Sequence, residues 1–230
     1  MSATLLVAEI FGPTFQGEGP SAGQQAAFVR LSRCNLTCQW CDTPYTWDWR
    51  RFDPAKEATR LSIEQITKEL DAIDAPIVVI TGGEPLLQQH SLEPLIETCR
   101  QAGRAIELET NGTIAPSPAL LISVTRFNVS PKLANSGIPR SRRIRPEALR
   151  TLAASGTAVF KFVVEDTTDL QEITALQREF GLTSVWVMPQ GDDPDRVLAV
   201  MRAVATDVLS GGWNLTSRLH VLLWGDVRGR

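Results

Sequence analysis

Apolar and polar positions fall in alternating blocks along this chain. Near-continuous apolar runs, many with β-branched residues, recur at 26–33 (AAFVRLSR), 76–81 (PIVVIT), 105–110 (AIELET), 126–130 (RFNVS), 157–164 (TAVFKFVV), 184–189 (SVWVMP) and 218–224 (RLHVLLW). Runs of this kind predict strands, and the near absence of a polar face predicts burial on both sides. Between them, 62–73, 86–102, 168–180 and 194–209 carry Leu, Ile, Val and Ala at helical spacing, and Ser62 with Gln65 fits a capping box. Strand–helix alternation predicts parallel βαβ units, in a doubly wound sheet or a complete or partial barrel. In either architecture ligands gather at the carboxyl ends of the strands. The polar and glycine-rich words stand there: GGEP after PIVVIT, NGT after AIELET, PK after RFNVS, QG after SVWVMP, and a cysteine loop after AAFVRLSR. Five strand ends would converge on a single mouth.

Composition narrows this little. The 230 residues are 43% hydrophobic and 21% charged, with a net charge of −3, which is ordinary for a globular chain, and one domain over 1–230 is expected. The mild acidity argues against a nucleic-acid binder. No apolar stretch approaches the roughly 18 residues of a membrane helix. The start, MSATLLVAEIFGP, lacks a basic n-region, so no signal peptide is expected. A cytoplasmic location follows, where clustered cysteines point to metal or catalysis rather than disulfides.

Cys34, Cys38 and Cys41 are spaced C-x3-C-x2-C, with no fourth cysteine or histidine nearby. Three thiolates suit a [4Fe–4S] cluster with one iron left open for a substrate or cofactor. Trp40 would shield such a cluster from water. The plainer alternative is zinc completed by Cys99, His90 or His220. Cys99, in SLEPLIETCRQAG, has the setting of a helix-packing residue. TGGEP (Thr81 to Pro85) adds glycines that let a ligand approach the backbone, and Glu84 can accept from an ammonium group.

CxxxCxxC with an aromatic before its last cysteine, followed by GGEP, resembles the radical S-adenosylmethionine superfamily, whose fold is a partial or modified (β/α) barrel of mostly parallel strands. FGPTFQGEGP, FVRLSRCNLTCQWCDT, TGGEP, ETNGT, VSPK and LHVLLW together are similar to the 7-carboxy-7-deazaguanine synthase family, over Phe11 to about Trp224. The resemblance implies a lyase of queuosine and 7-deazapurine biosynthesis. Its substrate would be 6-carboxy-5,6,7,8-tetrahydropterin, contracted to 7-carboxy-7-deazaguanine with loss of ammonia. It implies hydrogen abstraction from C6 by a 5′-deoxyadenosyl radical and regeneration of S-adenosylmethionine.

By the same resemblance Gln16, Gly17, Glu18, Arg30, Thr81, Glu109 and His220 contact the substrate. Gly83, Glu84, Thr110, Ser130, Lys132 and Gln190 contact S-adenosylmethionine, and Thr43 is a Mg2+ ligand. A flavodoxin or ferredoxin as electron donor and a homodimer are implied too. These roles make chemical sense: Gln16 and Glu18 can pair with a pterin edge, and the Arg30 fork can clamp a carboxylate. Duller roles also fit. Arg30 could be a rim ion pair, His220 a core histidine, one of Glu107 and Glu109 structural, and Asp42 with Thr43 a loop cap.

Two stretches fall outside the match. Pro44 to Arg60 is charged and aromatic, a lid or an outer surface, and the tail GDVRGR runs past the last matching word. The basic stretch Pro139 to Arg150 reads as a solvated loop, with docking of an acidic electron donor as the alternative. The rival functions are another radical enzyme, such as a glycyl-radical activase, and a non-catalytic zinc or iron–sulfur protein.

Overall fold

The computed structural model describes residues 3–229. In chain order its strands are β1 (Thr4–Phe15), β2 (Gln25–Leu31), β3 (Thr59–Ser62), β4 (Ile77–Gly82), β5 (Ala105–Thr110), β6 (Arg126–Val129), β7 (Ala158–Val164), β8 (Val185–Pro189) and β9 (Asn214–Leu215). The helices are α1 (Pro54–Glu57), α2 (Ile63–Ile73), α3 (Gln89–Gln101), α4 (Pro118–Ser123), α5 (Arg140–Arg143), α6 (Pro146–Ala154), α7 (Leu170–Phe180), α8 (Pro194–Ser210) and α9 (Leu219–Trp224). The strands form one sheet in the order β3-β1-β2-β4-β5-β6-β7-β8-β9. From β2 to β9 every pairing is parallel, while β1 lies antiparallel to β2 and β3. Among the described residues no pairing joins the two ends, so the sheet is an open, partial barrel.

The period of two along each strand decides what each face does. One parity packs under the helices: Val29 and Leu31 of β2, Val78 and Ile80 of β4, Ile106 and Leu108 of β5, and Phe160 and Phe162 of β7 share the main core with Leu70, Leu95, Leu152, Ile173 and Val204. The opposite parity is apolar near the strands' start, where Ala26, Phe28, Ile77 and Val79 form a second small cluster. Further along, that face carries Arg30, Thr81, Glu109, Asn128 and Lys161, all on the wall of one cavity. Burial on both faces, expected from the apolar runs, thus continues toward the strands' carboxyl ends, but there Thr81, Asn128 and Lys161 are buried polar groups.

The expected helices form, and Ser62 with Gln65 closes the capping box: Ser62 Oγ accepts from the Gln65 amide (3.2 Å) and Gln65 Oε1 from the Ser62 amide (2.8 Å). The expected strand at 218–224 is instead helix α9. A strand would bury Leu219, Val221 and Leu223 together, yet Leu223 is 51% exposed while Arg218 and Val221, one turn apart, are buried. A short apolar run does not separate the two periods by itself. The antiparallel β1 was not legible either, since Glu9, Gly12 and Pro13 interrupt it and its register shifts between Val7 and Glu9 and between Phe11 and Thr14.

Candidate active site

After β2 the backbone turns at Arg33 (φ 79°) into the cysteine loop, where Leu36 and Cys38 tuck against Ile138 with Cys34 and Cys41 packed on them. All three thiols line one cavity. Burial pushes the Cys34 thiol up to about 12, with the nearby Glu84 and the two other thiols adding to it, and burial raises Cys38 as well. Such thiols stay neutral until a metal displaces the proton. Among the described residues no three His, Cys, Asp or Glu side chains gather as the shell of one ion would. Three cysteine thiols on one cavity fit a [4Fe–4S] cluster that takes three of its ligands from the protein. Of the three candidate fourth ligands for zinc, His220 lines the same cavity and the other two do not. Cys99 is buried in the core of α3 and His90 is exposed on the same helix, and neither reaches the cavity.

The glycines of TGGEP serve this loop. A Cβ on Gly82 would lie 2.1 Å from the Leu31 carbonyl oxygen, and one on Gly83 2.2 Å from that of Arg33. The amides of Gly83 and Glu84 donate to those same two oxygens (3.1 and 2.9 Å). The close approach they permit is thus of the cysteine loop's backbone, not in the first place of a ligand. Glu84 also departs from expectation: its side chain is fully buried and off the cavity wall. It accepts from Leu86 N (3.0 Å), Thr110 Oγ1 (2.8 Å) and Asn111 N (2.7 Å), and ties the ends of β4 and β5 together. Burial raises its pKa against those three donors.

Tyr45 and Trp47 tie the charged, aromatic stretch 44–60 to the site. Trp47 Nε1 donates to Cys41 Sγ (3.3 Å), and the Tyr45 hydroxyl donates to Glu9 Oε1 (2.6 Å) beneath the Arg228 guanidinium, 3.9 Å above the Tyr45 ring. Both aromatic residues line the cavity, so this part of 44–60 is wall. Trp40 donates to the Asn135 carbonyl (3.1 Å), and its ring lies 5.4 Å from Lys132 Nζ. Lys132 Nζ in turn donates to Ser130 Oγ (2.9 Å). Gly83, Thr110, Ser130, Lys132 and Gln190 all line the same cavity as the thiols, and Thr43 does too, its hydroxyl 3.8 Å from Cys41 Sγ.

The other wall is a connected polar network. Glu109 accepts from Thr81 Oγ1 (2.8 Å) and Gln16 Nε2 (3.4 Å), and lies 3.7 Å from Lys161 Nζ. Lys161 Nζ donates to Glu18 in a close ion pair, and Arg218 Nε donates to Glu18 from the other side (3.4 Å). Arg218 reaches on to Asp42 and to the Gly191 carbonyl, which fastens the cysteine loop to the C-terminal segment. Burial works to raise the Glu18 carboxyl, but Lys161 and Arg218 hold it well below the ordinary range. Burial likewise works to lower Lys161, and Glu18 and Glu109 override it. His220 packs where a Gly17 Cβ would sit (2.1 Å from Nδ1), and burial lowers its pKa, which favours the neutral ring.

Arg30 lines the cavity and is also a rim ion pair, with Nε donating to Glu9 Oε1 at 2.6 Å. Glu107 is structural, bonded to Ser21, Arg126 and Asn128. That pairing uses the Asn128 amide nitrogen and leaves its buried Oδ1, on the cavity wall, with no partner among the described residues. Lys161, Arg218 and Asn128 were missed from sequence. The signal for Lys161 was a lone lysine inside the apolar run AVFKFVV. Arg218 and Asn128 had no comparable mark.

A family model for the Radical SAM superfamily matches residues 29–204. A 7-carboxy-7-deazaguanine synthase of Pyrobaculum aerophilum is 36% identical over the full length of both chains, and one of Bacillus subtilis 29% over the full length of both. The crystal structure of QueE from Escherichia coli superposes with a TM-score of 0.70 at 25% identity, covering 94% of this chain and 95% of that one. Streptococcus suis SuiB bound to its precursor peptide, at 12% identity and a TM-score of 0.58, shares the fold alone. With its cluster loop, its open parallel sheet and these full-length relatives, the chain belongs to the 7-carboxy-7-deazaguanine synthase family of the radical S-adenosylmethionine superfamily.

Proposed function

We propose that this chain converts 6-carboxy-5,6,7,8-tetrahydropterin to 7-carboxy-7-deazaguanine with release of ammonia, as a step toward queuosine or another 7-deazapurine. The observation that carries this reading is the pairing, in one cavity, of three cysteine thiols with a wall of carboxylate, ammonium and amide side chains from Gln16, Glu18, Glu109 and Lys161. A [4Fe–4S] cluster on Cys34, Cys38 and Cys41 with S-adenosylmethionine supplies, when bound, the 5′-deoxyadenosyl radical that takes hydrogen from C6.

The chain's own residues bind, orient and shield. Glu18, held ionised between Lys161 and Arg218, accepts from the amino and ring N–H donors of the pterin's amidine-like edge. Gln16 and Glu109 extend that set, Thr81 orients Glu109, and Asn128 Oδ1 is an acceptor held ready for a further donor. Arg30 clamps the substrate carboxylate with the guanidinium edge not turned to Glu9. Neutral His220 closes the site over Gly17. Thr110, Ser130, Lys132, Gln190 and the Gly83 backbone hold the adenosyl and methionyl groups. Glu84 acts as a positioning residue for that wall. Thr43 offers one oxygen to Mg2+, with substrate and water completing its shell.

The chain acts as one domain, in the cytoplasm, as a homodimer reduced by a flavodoxin or ferredoxin. No helix among the described residues is long and apolar enough to cross a membrane. The test is anaerobic turnover by the reconstituted protein. Carboxytetrahydropterin should give the ultraviolet signature of a deazaguanine without stoichiometric consumption of S-adenosylmethionine, and absence of that product removes the assignment. A glycyl-radical activase would not need the Gln16–Glu18–Glu109 wall.

A further inference from the structure

The register of β1 against β2 is not continuous. Val7 stands opposite Leu31, and both pack in the main core. Glu9 stands opposite Arg30, so two steps along β1 match one along β2. Had the pairing run on unbroken, Ala8 would face Arg30, and Glu9 would face Val29 on the core side. The extra residue re-aims Glu9 to the face that carries Arg30, as bulges beside functional sites do.

Glu9 does not line the cavity, yet three residues that do line it bond to its carboxylate. Oε1 accepts from Arg30 Nε and from the Tyr45 hydroxyl, both at 2.6 Å, and Oε2 accepts from Arg228 Nε at 3.1 Å. Arg228 is held from its other edge by Glu57, with Nη1 donating to Oε2 at 2.8 Å. Burial works to raise the Glu9 carboxyl, but Arg30, Tyr45 and Arg228 hold it below the ordinary range, so it stays ionised at neutral pH. The Arg30 guanidinium lies over the Phe11 ring, its Cζ 5.6 Å from the centroid, and its Nη1 and Nη2 have no hydrogen-bond partner among the described residues. A planar fork bonded at Nε and laid on a ring has little freedom left, so the anchor at Nε sets where the Nη edge points.

We propose that Glu9 is the positioning residue that makes the site selective for a carboxylated ring: it fixes Arg30 by Nε so that the two Nη groups meet the two oxygens of the substrate carboxylate. Glu9 itself touches no substrate. The inference rests on the reading of Arg30 as the carboxylate clamp. Two parallel N–H···O bonds need both nitrogens in line with the carboxylate, and a guanidinium freed at Nε gives up that alignment. Charge alone argues the reverse, since an anion beside Arg30 weakens its pull on a second anion. Positioning and charge therefore predict opposite signs when Glu9 is removed.

The test reads dissociation constants rather than turnover, for 6-carboxypterin and for pterin, the aromatic ring with and without the carboxylate. Both are titrated calorimetrically into the anaerobic holoprotein at fixed S-adenosylmethionine and Mg2+. The ratio of the two constants measures what the carboxylate contributes, and in the parent it should be about tenfold or more, the worth of a charge-assisted hydrogen bond. In Glu9→Leu the ratio should fall about fivefold or more, with the pterin constant within about twofold of the parent. Glu9→Gln keeps an acceptor for Arg30 Nε and drops the charge, and should hold the ratio within about twofold. A parent or raised ratio in Glu9→Leu would overturn the inference, and so would a Glu9→Gln ratio as low as that of Glu9→Leu. Arg30→Leu separates the two failures. An unchanged ratio there removes the clamp reading and the inference with it, whereas a collapsed ratio beside an unchanged Glu9→Leu overturns the inference alone. If Glu9→Leu does not fold, Glu9→Asp decides: drawing the anchor back by one methylene should lower the ratio about threefold, and a parent ratio would overturn the proposal.

Discussion

The thiol wall of the cavity comes from one short stretch, Cys34 to Trp47, closed by Trp47 Nε1 on Cys41 and by the glycines beneath it. The ionised wall joins residues up to 200 positions apart, Glu18 with Arg218 and Lys161, and Gln16 with Glu109. Burial acts in the same direction on Cys34 and Cys38 and favours the uncharged form. On the other wall burial is overridden by opposite charges held in contact, so Glu18 stays ionised. One wall is poised to receive a cation. The other is electrostatically complete and presents fixed charge to a polar ligand.

The largest break of this contrast is on the thiol side. Cys38→Ala should abolish the visible iron–sulfur absorption and all turnover, with the far-ultraviolet circular dichroism preserved. A spectrum retained at full intensity would remove Cys38 from the ligand set.

Lys161→Met leaves Glu18 buried with a diminished partner set, and breaking such a pair costs about 3–5 kcal/mol. A large fall in melting temperature is expected, partly restored in Lys161→Met/Glu18→Gln, whereas additive losses in the double variant would deny the coupling. Asn128→Leu removes a buried acceptor that has no partner among the described residues, together with the amide donor to Glu107, and should raise KM for the pterin severalfold while the cluster spectrum is unchanged. An unaltered KM would return Asn128 to a purely structural role.

Acid should separate the two walls further. The Glu18 pKa is lowered below its ordinary value of 4.5, so its contribution to stability is present above that pH and is lost as pH falls below it. Glu84 has the opposite sign: its raised pKa makes its contribution fully present below 4.5 and lost as pH rises through the raised value. Glu18→Gln should flatten the acid limb of a melting-temperature profile below pH 4.5, and an unchanged limb would deny that Glu18 governs it. The smallest effect belongs to Trp47→Phe. Loss of one N–H donor to a cysteine sulfur should move the cluster's midpoint potential to a more negative value with ligation intact, and an unmoved potential would leave Trp47 as shielding only.

By itself, the sequence determined whatever depends on neighbours along the chain. The cysteine spacing, the parallel strands with their alternation of faces, the Ser62 capping box and the words at the strand ends are local patterns with local physical causes. Even Cys99 announced itself as a packing residue from its helical setting. Tertiary structure alone decided the rest, because contacts across the sheet have no period in the sequence. It turned 218–224 into a helix, since one face of that run meets the core while Leu223 faces solvent. It turned Glu84 inward, because the ends of β4 and β5 leave three donors facing one carboxylate. It also brought Lys161 and Arg218 to Glu18, where a close ion pair outweighs the cost of burial and keeps the acid charged.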